Sequence, residues 1–372
     1  MMKNIRPIAI YLPQYHPFKE NNEWWGEGFT EWNNVVKGKP RFKGHYQPHL
    51  PADLGFYDLR LPEVREKQAA MAKEYGIYGF CYYHYWFNGK LLMERPLNEI
   101  LESGKPDFPF CMCWANENWS RRWDGGDHHI LIAQDYSEQD DIEHIRYLLP
   151  IFKDERYIKV DGKPLFIIYK PDLFPNIQRT IQIWHEEAKK EGIDLYLCAF
   201  ERSNGMSAEE ECSIGFDAAI EFQPLSKSMR EYLMIYNKPN IFQRIKNKMY
   251  KLYCQFLNIE RIHRVDRVID YPKFVDFDLR QTHNCKCYPS VSPSWDNSSR
   301  RTKIWATIFK GSNPELFYKW CAKKIEQFKP FSEEENFLFI NAWNEWAEGN
   351  HLEPDQKWGK QYLEAFKRAL NG

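Results

Sequence analysis

Short apolar runs alternate with longer amphipathic stretches along this chain. The apolar runs are eight: Arg6–Pro13, Gly76–His84, Phe108–Ala115, Pro164–Tyr169, Ile193–Phe200, Phe216–Phe222, Lys286–Val291 and Asn336–Ala342. Each is nearly continuous rather than alternating, the pattern of a strand covered on both faces. Between them, Leu61–Tyr75, Glu138–Pro150, Asn176–Glu191, Ala208–Ile214, Pro314–Phe328 and Lys357–Leu370 read as helices, several with apolar residues at i, i+3 and i+4. Pro62 opens the first of them, and glycines end two, at Tyr75-Gly76 and Glu191-Gly192. Strand followed by helix, repeated around the chain, predicts an α/β fold, a single (β/α)8 barrel over residues 1–372. A doubly wound open sheet is the competing architecture, but Leu12-Pro13-Gln14-Tyr15 stands where its glycine-rich phosphate turn belongs.

A barrel also explains where the unusual side chains fall. Polar and aromatic residues cluster at the strand C-ends: Gln14-Tyr15-His16, His84-Tyr85-Trp86, Trp114 to Trp119, Tyr169-Lys170, Glu201-Arg202, Glu221-Phe222-Gln223, Trp295-Asp296-Asn297 and Trp343-Asn344-Glu345. Barrel active sites are built at that end. Two segments exceed a minimal barrel. Residues 18–54 form a long first loop containing Trp24-Trp25-Gly26-Glu27-Gly28-Phe29-Thr30-Glu31-Trp32, and loops of such length usually serve the site. Residues 226–273, between the sixth and seventh strands, form a basic insertion. From Ser226 to Asp270 it carries ten Lys or Arg against four Asp or Glu, and Ile241–Leu257 reads as a basic amphipathic helix. A helix of that kind either packs on the barrel or meets a polyanion, a lipid-linked glycan or an anionic membrane surface.

Composition narrows the chemistry. The formal net charge is −1, so no global field draws the chain to nucleic acid. Aromatics reach 16%, with 14 Trp, more than a core requires and suited to the flat apolar faces of sugars. No apolar stretch reaches transmembrane length, and Met1-Met2-Lys3-Asn4 lacks a signal-peptide pattern, so the expected location is cytoplasmic, with peripheral contact to the inner membrane through the insertion. The nine cysteines are an odd number, and Cys81, Cys111, Cys113, Cys198, Cys285 and Cys287 lie in apolar runs, as reduced buried thiols do. Neither Cys111-x-Cys113 nor Cys285-x-Cys287 has zinc-ligand spacing, so the expectation is no metal and no cofactor. Asp276-x-Asp278 matches the short acidic motif of nucleotide-sugar transferases, but no nucleotide-binding sheet surrounds it.

The most informative stretch follows the last apolar run: Asn341-Ala342-Trp343-Asn344-Glu345-Trp346-Ala347-Glu348-Gly349-Asn350-His351-Leu352-Glu353-Pro354. If its loop takes up one helical turn, Glu345 and Glu348 face the same way, with Cβ atoms about 5–6 Å apart. A carboxyl pair at about that spacing is what retaining glycosyl transfer needs.

The motif Asn344 to Gly349, with His351-Leu352-Glu353-Pro354-Asp355 behind it, resembles the WbsX family of bacterial polysaccharide-biosynthesis glycosyltransferases. So do Ala9 to His16, Trp24 to Trp32 and Trp114 to Trp119. More remotely, Asn-Glu-Trp-x-Glu-Gly resembles the retaining endo-α-mannosidases, which are (β/α)8 barrels. That resemblance implies roles: Glu345 deprotonates the sugar 2-hydroxyl, which closes on the anomeric carbon, while Glu348 protonates the leaving oxygen and later activates the acceptor. Ala347 and Asn350 depart from the remote pattern, which leaves acceptor and linkage open.

The expected function is therefore retaining glycosyl transfer or endo-glycosidic cleavage on a cell-surface polysaccharide or oligosaccharide. Alternatives are a conventional nucleotide-sugar-dependent glycosyltransferase and a non-catalytic glycan-binding barrel. Expected substrate contacts are Tyr11, His16, Trp25, His84, Trp86, Trp114, Asn116, Glu117, Trp119, Trp295, Asn344, Trp346 and His351. Expected partners are the glycan itself and, through residues 241–257, an anionic membrane surface or lipid-linked glycan.

Overall fold

In the computed structural model the described residues are 5–121, 126–236, 245, 248–249, 252–253, 266–302 and 304–372. They form the barrel. Its strands are β1 (Arg6–Tyr11), β2 (Gly79–Phe87), β3 (Phe110–Trp114), β4 (Lys163–Ile168), β5 (Tyr196–Glu201), β6 (Ala218–Glu221), β7 (Cys287–Tyr288), β8 (Ser290–Val291) and β9 (Phe337–Ile340). Neighbours pair in parallel from β7 through β6, β5, β4, β3, β2 and β1 to β9 and β8. β7 and β8 are two halves of the seventh barrel strand. β7 pairs with β6 and β8 with β9, so the pieces close the ring between them. Pro289 separates them. It has no N–H for the ladder, but its carbonyl accepts from Phe339 N at 2.9 Å.

The helices follow their strands as a (β/α) repeat demands. They are α1 (Pro62–Glu74), α2 (Arg95–Ser103), α3 (Glu138–Phe152), α4 (Ile177–Lys190), α5 (Ala208–Ser213), α6 (Lys227–Tyr236), α7 (Tyr271–Asp278), α8 (Pro314–Gln327) and α9 (Gln361–Asn371). Local chemistry starts them: Ser137, Asn176, Ser207, Asp270 and Asn313 each accept a backbone N–H of the first turn through the side chain. One apolar core runs from the ring interior to the helices and includes Ile8, Ile10, Phe80, Phe110, Phe166, Leu197, Ile220, Phe337 and Phe339, all essentially inaccessible. Asp278 of the short acidic motif is part of this frame. It is buried, 3.0 Å from Lys324, and accepts from Trp320 and Ser228.

Two further elements shape the mouth. The first loop carries two short helices, Lys19–Trp25 and Trp32–Val35, rather than being irregular throughout. Within the 226–273 insertion, α6, a strand at Arg267–Asp270 and the start of α7 are described, and that strand pairs in parallel with Thr307–Lys310. The basic stretch 241–257 falls largely outside the described residues. Among the described residues no helix is long and apolar enough to cross a membrane.

Candidate active site

The C-terminal mouth of the barrel holds a cleft of about 310 Å3, lined by Tyr83, Tyr85, Trp119, Tyr169, Phe222 and Trp295 together with Glu117, Lys170, Arg202, Arg300, Glu345 and Glu348. The carboxylates are brought there by the backbone after β9. Asn344-Glu345 forms a two-residue antiparallel ladder with Asn350-His351, and Trp346–Glu348 between them is a single 3-10 turn. Glu345 immediately precedes that turn and Glu348 ends it.

Gly349 ends that turn at φ +56°, and a Cβ there would lie 2.9 Å from Asp296 Cβ. Only glycine lets the turn press this closely on the loop after β8, where Asp296 N donates to Glu348 O at 2.5 Å. The turn is also fastened underneath. Trp346 Nε1 donates to Glu353 Oε2 at 2.6 Å, Tyr57 OH to the same oxygen at 2.8 Å, and Gln68 Nε2 to Glu353 Oε1 at 2.7 Å. Burial raises Glu353 to about 7 despite these donors.

The centre of the site is Arg300, in the loop after β8. Its Nη2 donates to Glu345 Oε2 at 3.0 Å, its Nη1 to Glu348 Oε1 at 2.6 Å, and its Nε to Glu31 Oε1 at 2.5 Å. Glu31 comes from the first loop and is completely buried. Three carboxyls thus share one guanidinium in a desolvated place. Burial pushes Glu345 up to about 8, against the opposing pull of Arg300, with Glu348 and Glu31 adding to the rise. Glu348 is also raised, by burial first. Burial, and the excess of carboxyls over the guanidinium they share, both favour the protonated form of the pair. On the opposite wall Lys170 forms an ion pair with Glu117, and Arg202 lies 4.4 Å from the centroid of the Tyr169 ring.

Of the expected contacts, Glu345, Glu348, Glu117, Trp119 and Trp295 line this cleft. His351 lines a neighbouring cleft. The others lie elsewhere. Successive side chains of β2 point to opposite faces, so Tyr83 and Tyr85 face the cleft while His84 and Trp86 face α3. There His84 Nε2 meets His144 Nε2 at 2.9 Å and Trp86 Nε1 donates to Asp140 at 2.8 Å. Tyr11 faces α1 and donates to Gln68 at 2.7 Å. Trp114 is buried against His144, and His16 is buried beside Phe18. Trp25 stacks on Phe29 within the first loop, and Trp346 is buried beneath the 3-10 turn.

Asn116 and Asn344 do a common job, and neither is a cleft wall. Asn344 Oδ1 accepts from Leu12 N at 2.7 Å and its Nδ2 donates to Leu12 O at 3.0 Å. Asn116 pairs in the same way with Lys170 N and O, both at 2.7 Å. Each amide extends a strand ladder by one rung and fixes the loop that follows. Sequence reading missed Arg300 and the role of Glu31. The only available signal was an arginine pair close behind Trp295-Asp296-Asn297.

Comparisons with known proteins agree with this architecture. The sequence model of the family described as Glycosyltransferase WbsX matches residues 7–366. The uncharacterized protein WxcX of Xanthomonas campestris pv. campestris is 38% identical over 367 residues, covering 98% of this chain and 49% of its own length. The chain spans about half the length of the curated relatives it matches. Among solved structures, the GH99 endo-α-mannosidase from Bacteroides thetaiotaomicron superposes with a TM-score of 0.58 at 14% identity, covering 98% of this chain and 96% of that one. A chain described as a glycoside hydrolase-like protein gives 0.59 at 14% identity, covering 98% and 94%. At such identities these structures establish the fold.

Proposed function

The chain belongs to the WbsX glycosyltransferase family, a family of carbohydrate-active enzymes, and from that premise we propose that Glu345 and Glu348 carry a retaining glycosyl transfer or endo-glycosidic cleavage on a cell-surface polysaccharide or oligosaccharide intermediate. The observation that carries this reading is the sharing of Arg300 by the two carboxyls at the bottom of an aromatic-lined cleft. Burial raises both above the ordinary carboxyl range, and Arg300 keeps their oxygens on adjacent guanidinium nitrogens. A carboxyl pair that retains one proton offers an acid and a base at once.

Roles follow from exposure and basicity. Glu345 is the more enclosed, with 8% side-chain exposure against 21% for Glu348. A carboxylate with a raised pKa is a stronger base, which suits Glu345 to taking the proton of a sugar 2-hydroxyl. That oxygen then closes on the anomeric carbon. Glu348, nearer the opening, gives its proton to the departing oxygen and recovers it from the incoming acceptor, sugar or water, as the acceptor displaces O2 from the anomeric carbon and Glu345 returns its proton to O2. Two inversions at one carbon give net retention. Tyr83, Tyr85, Trp119 and Trp295 supply rings for sugar faces.

The test has two stages. Thermal shifts across nucleotide sugars and neutral oligosaccharides identify the donor class, since a ligand at 100 times its Kd stabilises by about 2.7 kcal/mol. NMR of the first product formed from that donor then reads the anomeric configuration, and an inverted product overturns the reading.

The basic segment 241–257 fits a place of action at an anionic bilayer. Among its described residues Ile245, Met249, Leu252 and Tyr253 are exposed. Each surface cation near such a bilayer contributes about 1 kcal/mol. Vesicle co-sedimentation should fall when Arg244, Lys246, Lys248 and Lys251 are changed to Ser, and should fall with salt in the parent chain. Binding insensitive to both would leave the segment without this role.

A further inference from the structure

Beside the sugar cleft lies a second one, between the first loop and the segment that follows the catalytic turn, lined by His45, Tyr46, His49, Asp296, His351 and Asp355 among others. In it His49, His351 and Asp355 converge, with one ligand atom from each lying within 4.8 Å of the others. His49 Nδ1 is 3.1 Å from His351 Nε2, and Asp355 Oδ2 is 3.9 Å from both. A tetrahedral zinc with Zn–N of about 2.0–2.1 Å places its ligands roughly 3.3–3.4 Å apart, so small side-chain adjustments suffice. We propose that these three residues form a binding site for a divalent transition-metal ion of the zinc class, which ties the first loop to the catalytic segment.

The outer contacts of His351 and Asp355 are those of prepared ligands. His351 Nδ1 lies 2.9 Å from the carbonyl of Glu353. A carbonyl only accepts, so Nδ1 carries the proton and the lone pair of Nε2 faces the cleft. Asp355 Oδ1 accepts from the backbone N–H groups of Lys357 and Trp358, at 3.0 and 2.6 Å, which leaves Oδ2 to face the two rings. His49 at present shares one proton with His351 across their contact. Metal binding moves that proton to His49 Nε2 and frees Nδ1. Three protein donors beside an open cleft leave room for water or another ligand in a fourth position.

The position gives the ion a consequence. His351 stacks on Trp346 with ring centroids 3.7 Å apart and planes 14° apart, and Trp346 sits between Glu345 and Glu348 in sequence. His49 belongs to the loop that also delivers Glu31 to Arg300. An ion holding His49 to His351 and Asp355 therefore braces both sides of the carboxylate centre. Sequence reading expected no metal because it looked for short ligand spacings, and His49 is separated from His351 by 302 residues.

The site is tested on the full chain, stripped with chelator, by equilibrium dialysis against Zn2+. Asp355→Asn keeps the oxygen that the backbone holds and replaces the facing one by an amide, and His49→Gln removes the other loop's ligand. One ion per chain is expected, with affinity lowered at least about 100-fold in either variant, more than the roughly 10–100-fold cost of losing an outer hydrogen-bond partner. Co2+ binding should give visible d–d bands without near-ultraviolet thiolate charge transfer, which separates this site from Cys212 and Cys285, the partly exposed thiols among the described residues. Zn2+ should also raise Tm of the parent and not of Asp355→Asn. No binding by the parent, thiolate bands with Co2+, or unchanged affinity in both variants would overturn the proposal.

Discussion

The Asn344 side chain pairs with both backbone polar groups of Leu12, its Oδ1 taking the N–H at 2.7 Å and its Nδ2 giving to the carbonyl at 3.0 Å. This single amide joins the end of β1 to the residue preceding Glu345. Asn344→Ala leaves a buried N–H and a buried C=O unpaired, which costs about 1–3 kcal/mol for each group so stranded. Urea unfolding should show a lower midpoint with an unchanged slope. Turnover should fall too, because the Glu345 backbone loses its anchor, while Asn344→Asp keeps one of the two bonds and should fall between parent and Ala.

Arg300 is the residue on which the carboxyl pair depends. Arg300→Lys retains a charge but presents one nitrogen where three are used. Turnover should drop by roughly 10²-fold or more, in the range for losing positioned proton transfer. In Arg300→Met the cation that holds both pKa values down is gone, so both limbs of the pH profile should move to higher pH. A profile that keeps its shape and position in Arg300→Met would mean that other groups do the proton transfers.

Glu345 also predicts a pH dependence of stability. Burial raises it in the folded chain to about 8, whereas the unfolded chain titrates near the ordinary value of 4.5. Between those values the folded state binds more protons than the unfolded one, so its contribution to stability declines as pH rises through that window. Glu345→Gln cannot ionise. Its Tm advantage over the parent should therefore widen between about pH 5 and pH 8, as thermal melts in matched buffers would read. A difference that stays constant with pH would place the titration elsewhere.

The barrel was legible because buried strands announce themselves as apolar runs, and the ring follows from their repetition. The seventh run, Lys286–Val291, was read as one strand, yet Pro289 divides it between two neighbours. The glutamate pair was legible because its geometry is local, one 3-10 turn. Arg300 and Glu31 were not. Their contact joins residues 269 positions apart, and nothing in periodicity or local composition records such a meeting. The misplacement of His84 and Trp86 has a different cause. β2 is buried on both faces, with no polar side to reveal which parity points inward, so a run of Tyr, His and Trp reads the same in either register.

That parity supplies the last prediction. Tyr85 and His84 are adjacent on β2, but Tyr85 lines the cleft while His84 contacts His144 on α3 at 2.9 Å. Changing Tyr85 to Ala removes a ring against which Trp119 packs edge-on, at 5.3 Å between centroids, and so loosens two aromatic walls of the cleft. KM for the glycan should rise about 5- to 30-fold if the ring contributes on the order of 1–2 kcal/mol to binding, and because Tyr85 is itself buried the melting temperature should fall as well. His84→Ala should lower stability alone. It strands a buried imidazole nitrogen of His144 and opens a cavity between His144 and Tyr147, so stability should fall by roughly 2 kcal/mol or more with KM nearly unchanged. Were His84→Ala to raise KM while Tyr85→Ala left it alone, the face of β2 that meets substrate would be the opposite one.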